Sequence, residues 1–75
     1  MPNVELQKRN NKREELLVDG EGIGFIIQAD TGLWHLSGKG TDEIELEAKL
    51  SDGSTFSGGT HSDASNALLV DYLFA

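Results

Sequence analysis

Glu43-Ile44-Glu45-Leu46-Glu47-Ala48-Lys49-Leu50 alternates without a miss. Ile44, Leu46, Ala48 and Leu50 fall on one face, and Glu43, Glu45, Glu47 and Lys49 on the other. A period of two is that of a strand with one face on a core and the other in water. In an extended backbone successive glutamates would stand about 6.6 Å apart, forming a negative ladder. The chain then meets Ser51-Asp52-Gly53 and returns as Ser54-Thr55-Phe56, and parity chooses the turn. A two-residue loop would pair Phe56 with Lys49 and leave the ring among charges. A three-residue loop pairs Phe56 with Ala48 and Ser54 with Leu50, on the apolar face. Gly53 then takes the left-handed position that closes a type I turn with a bulge.

Upstream of this hairpin, residues 1–12 hold few apolar side chains and a central Asn10-Asn11 pair, which predicts a basic arm, flexible or loosely paired at a sheet edge. Residues 13–75 form the single small domain. Leu16-Leu17-Val18 reads as its first strand, closed by Gly20-Glu21-Gly22. Ile23 to Ala29 reads as the second, with Ile23, Phe25, Ile27 and Ala29 inward. A two-residue Thr31-Gly32 loop would pair Ala29 with Trp34 and Ile27 with Leu36, and Gly38-Lys39-Gly40-Thr41 leads into the central hairpin.

The last segment reads as a helix, with Ser62 as N-cap, Asp63 in the first turn where the dipole favours negative charge, and an end near Phe74. Ala64, Ala67, Leu68, Leu69, Val70, Tyr72, Leu73 and Phe74 leave it apolar on most sides. One face of a small sheet cannot cover such a helix, so Leu69, Tyr72 and Leu73 are candidate contacts for a partner or for a second copy in a homodimer. The expected fold is therefore α+β: an antiparallel β-meander of four to five strands with one C-terminal helix on one face. Trp34, Leu36, Ile27, Phe25, Leu46, Ile44, Phe56, Val70 and Leu73 are its expected core.

With 75 residues and no cysteine, the chain can rely on neither a disulfide framework nor a thiolate metal site. No apolar run approaches the roughly 18 residues of a membrane span, and the N-terminus lacks the apolar core of a signal peptide. A cytoplasmic protein is expected. The net charge of −7 is unevenly spread. Lys8, Arg9, Lys12 and Arg13 against Glu5 give residues 1–13 a local +3; two lysines against twelve acids leave −10 on the rest. Such a body repels phosphates and anionic membranes and attracts basic protein surfaces.

Signals for chemistry are sparse. Asp30-Thr31-Gly32 is the tripeptide of aspartic proteases, in which two carboxylates share one proton, and a dimer would supply both. The same tripeptide is also an ordinary hairpin turn. His61-Ser62-Asp63 could offer an imidazole and a carboxylate to a metal, but a site usually needs three or four ligands and the sequence places no others beside them, so neither a metal nor a cofactor is expected. His35 reads as a sheet-surface residue and His61 as part of the loop before the helix. These observations favour a non-enzymatic binding module for another protein. Its most specific form is an inhibitor or regulator whose Glu43, Glu45 and Glu47 face imitates nucleic acid, in the manner of viral or phage anti-defence proteins. A nucleic-acid-binding module that uses Lys8, Arg9, Lys12 and Arg13 is the alternative.

Overall fold

The computed structural model describes residues 3–38 and 40–75; Met1 and Pro2 of the expected arm, and Lys39 of the loop before the hairpin, lie outside the described residues. Strands β1 (Val4–Asn10), β2 (Arg13–Val18), β3 (Glu21–Gln28), β4 (Trp34–Ser37) and β5 (Ile44–Glu45) form one antiparallel sheet in chain order. β6 (Ala48–Lys49) and β7 (Thr55–Phe56) form a second, and α1 (His61–Leu73) closes the chain. The expected α+β meander with a C-terminal helix is what the chain adopts.

The segment expected as an arm is a strand. β1 pairs with β2 from Val4↔Val18 to Lys8↔Glu14, and Asn10-Asn11 is the signal of the turn between them. Asn10 Oδ1 accepts the Lys12 N–H at 2.9 Å, a side-chain turn that Asn favours. The next turn is Asp19-Gly20 rather than Gly20-Glu21-Gly22. Both residues have positive φ, 52° and 83°, the backbone of the two-residue hairpin turn that matches strand twist.

The turn between β3 and β4 corrects the predicted register. Ala29 N–H donates to Leu33 O at 2.8 Å and Gly32 has φ 93°, so the loop is Asp30-Thr31-Gly32, three residues long. Ile26 therefore faces Leu36, and Ile27 faces His35. That one-residue slip exchanges the faces of β3. Residues directly opposite share a face, so the helix side carries Leu6, Leu16, Gly24, Ile26, Trp34 and Leu36, while Phe25 and Ile27 point away from the helix. Leu16 and Ile26 are fully buried there, each contributing about 1.5–3 kcal/mol of apolar burial. Ala64, Ala67 and Leu68 of the helix, Ala48 of the second sheet and Leu50 just after β6 complete the core, with Phe56 packed against it.

The β6–β7 hairpin has the expected register, with Ala48 opposite Phe56 and Leu50 N–H donating to Ser54 O at 2.8 Å. Gly53 sits at φ 91°. The hydroxyl and then the N–H of Ser54 bond Asp52, at 2.6 and 3.0 Å, and hold its carboxyl below the ordinary value of 3.8.

The alternating run itself is not one strand. β5 follows β4 only as far as Glu45, because the next place on the β4 edge is taken: Trp34 exchanges both backbone hydrogen bonds with Gly59, at 2.7 and 3.0 Å. The chain breaks at Leu46-Glu47 and resumes as β6 against β7. Ala48 and Leu50 reach the core after the break, whereas Ile44 and Leu46 before it remain in water. Leu73, also expected inside, is 63% exposed.

The helix begins two residues before the expected cap. Thr60 is the N-cap, its hydroxyl accepting the Asp63 N–H while Asp63 accepts the Thr60 N–H, each at 3.1 Å. His61 is thereby inside the helix rather than in the loop before it. Its ring meets Trp34 edge-on at 4.9 Å and its Nε2 lies 2.9 Å from Glu14 Oε1.

Candidate protein-docking surface

Glu43, Glu45 and Glu47 are all exposed, but only Glu45 lies in a strand, so the regular ladder is replaced by an irregular acidic strip at the sheet's edge. Among the described residues no cation stands within ion-pair distance of any of the three. Four other acids on or beside the sheet are paired within the chain. Glu15 pairs with Arg9, Asp30 with Lys12 at 3.4 Å, Asp42 with Arg13 at 2.9 Å, and Glu14 with His61. Three of the four N-terminal cations are thus bound to the chain's own carboxylates.

The strip is not purely polar. Ile44 is 39% exposed and Leu46 61%. Both open onto a groove of about 470 Å³ on the face away from the helix, floored by Ile27 and Ala29. Lys12–Asp30 and Arg13–Asp42 fence it, and the Arg13 guanidinium is fixed 5.3 Å over the Phe25 ring. Glu45 points to the opposite face, where it borders a second groove of about 670 Å³ with Leu36, Leu50, Leu68 and Tyr72. A segment that presents carboxylates and apolar groups together can hold a partner's cations while burying its apolar side chains.

The helix candidates separate. Leu69 packs against the core, whereas Tyr72 and Leu73, with Phe74, stand exposed beyond it. Nothing in the helix's own periodicity marked this division, because its buried residues, Ala64, Ala67 and Leu68, all lie before Leu69.

His35 corrects a further expectation. It is 5% exposed, lies under Gly58, and its Nδ1 has no hydrogen-bond partner among the described residues. It lies on the face away from Trp34 and Leu36, as expected, but the Gly58-Gly59 segment that pairs with Trp34 covers it. Asp30 stands fully exposed at the tip of its turn with Lys12 beside it. Among the described residues no three His, Asp or Glu side chains come together in a way that could hold a metal ion, and no helix is long and apolar enough to cross a membrane.

A scan against family models gives no match, and neither a search of curated proteins nor one of solved structures returns a match.

Proposed function

We propose that this chain is a small non-enzymatic binding module that docks a basic, partly apolar surface of another protein on the strip Glu43–Glu47. The observation that carries the reading is the exposure of Ile44 and Leu46 between three glutamates that lack cation partners among the described residues. A face that served only to keep the chain soluble would gain nothing from an open leucine. The nucleic-acid-imitating inhibitor is the specific form of this function: a basic surface built for phosphates would meet the carboxylates, and Leu46 would add contacts that nucleic acid lacks. Tyr72 and Leu73 offer a second contact area. A cytoplasmic setting and a viral or phage origin fit the small, acidic, cysteine-free sequence. Nucleic-acid binding through Lys8, Arg9, Lys12 and Arg13 is the weaker reading, since phosphates would have to displace the carboxylates already on three of them.

Affinity capture from cells of the source organism tests this with three baits: the wild type, Glu43/Glu45/Glu47→Gln, and Ile44/Leu46→Ser. A protein captured by the wild type and lost with both variants, and shown to bind directly when purified, is the expected result. Retention by both variants would place the contact elsewhere.

A further inference from the structure

Beyond the acidic strip, we propose that two copies of this chain pair through β1, antiparallel about a two-fold axis at Gln7, so that two five-stranded sheets become one. The direction of the β1 backbone groups is the starting point. Asp19 N–H donates to Asn3 O at 2.8 Å, so Asn3 faces β2. In an antiparallel ladder residues alternate between facing the partner strand and facing away. Glu5 and Gln7 therefore also bond β2, while Val4, Leu6 and Lys8 turn their N–H and C=O groups outward. The register is regular over this stretch, its shift coming only between Lys8 and Asn10. β1 is first in the sheet order, so among the described residues no strand covers this edge. An open row of such groups is a template for another strand.

The opposite edge of the sheet is blunt. β5 is two residues long and the chain beyond it leaves for β6. One long open edge and one blunt edge permit a closed pair rather than a growing fibre. Charge then selects the register. A two-fold axis normal to the sheet pairs residues of like parity, so partner numbers sum to an even value. At a sum of 16 Lys8 would face its own copy, which like charges oppose. At 12, Glu5 would face Gln7. At 14, Glu5 faces Arg9 of the second copy twice over, on the face where Arg9 already meets Glu15, and Gln7 meets itself on the axis. A single strand pair is small beside the roughly 1,200–2,000 Å² of stable complexes, so the dissociation constant should be on the order of 100 µM.

Sedimentation equilibrium at chain concentrations up to about 1 mM should show the mass rising from 8.1 kDa towards twice that value. Lys8→Pro removes an outward N–H and no bond to β2, so it should keep the fold and stay a single chain. Gln7→Cys, at a position where the two copies would meet without intervening hydrogen bonds, should form a dimer-linking disulfide on mild oxidation, and Glu5→Cys should not. A mass of 8.1 kDa at every concentration overturns the proposal, as does a Lys8→Pro chain that still dimerises, which would move the contact to the helix end at Tyr72 and Leu73. Cross-linking by Leu6→Cys in place of Gln7→Cys overturns the register.

Discussion

A Cβ built on Gly24 would stand 3.0 Å from Cδ1 of Leu68, so the helix rests directly on the backbone of β3. Gly24→Ala should destabilise the fold by about 1–3 kcal/mol through overpacking, together with backbone strain at its φ of 157°. Leu68→Ala should cost about 2–5 kcal/mol through the cavity left behind. The double variant should lose less than the sum, because the smaller residue 68 leaves room for the added methyl. Urea unfolding of the three variants measures the coupling, and strict additivity would mean that the two positions do not touch.

Gly53 and Gly58 separate backbone strain from collision. Both have positive φ, 91° and 111°, but a Cβ at Gly53 would meet nothing within 4 Å, whereas one at Gly58 would lie 2.6 Å from Cε1 of His35. That ring is buried. Gly53→Ala should cost about 1 kcal/mol and Gly53→Asn less, since Asn tolerates the conformation. Gly58→Ala should cost clearly more. Equal losses in chemical denaturation would show that His35 yields freely.

The sequence carried the architecture because each of its hairpins is local. Ser51-Asp52-Gly53 could be solved by parity, since only one register brought Phe56 inward. Asp30-Thr31-Gly32 could not, because Phe25, Ile26 and Ile27 are all apolar and either register buries something. The break at Leu46 was hidden for a different reason: it is imposed by Gly59, which takes the place beside Trp34 from a distant part of the chain. The acidic residues of the strip were legible in the alternation. Its apolar half was not, because exposure of Ile44 and Leu46 follows from that distant pairing.

Replacing Glu43, Glu45 and Glu47 together by Gln should leave the fold intact. Removing like charges that have no cation partners among the described residues should hold the melting temperature steady or raise it slightly at low salt. Against a purified partner, association should slow and its salt dependence should flatten. A lowered melting temperature would reveal that the carboxylates hold structure.

Acid should act on the β6–β7 turn. Because hydrogen bonds from Ser54 keep the folded carboxyl of Asp52 below 3.8, the stability it contributes is fully present above that value and is lost as pH falls through the lower, folded one. Wild type should therefore lose more stability than Asp52→Asn between about pH 5 and about pH 2. Identical acid profiles would mean that the turn does not distinguish the two side chains.

The pairing of Trp34 with Gly59 also predicts an order for folding. β1 to β4 are joined by the short turns Asn11-Lys12, Asp19-Gly20 and Asp30-Thr31-Gly32, so each closure adds little entropy cost and the meander can zip from neighbour to neighbour. Seating Gly59 on β4 has to wait for a much longer loop, and it carries the capped start of the helix with it. Substitutions in the Asp19-Gly20 turn should therefore act chiefly on the refolding rate in stopped-flow mixing. Those around Gly58 and Gly59 should act chiefly on unfolding, making this short glycine pair a latch on the native state; equal effects on both rates would rule that order out.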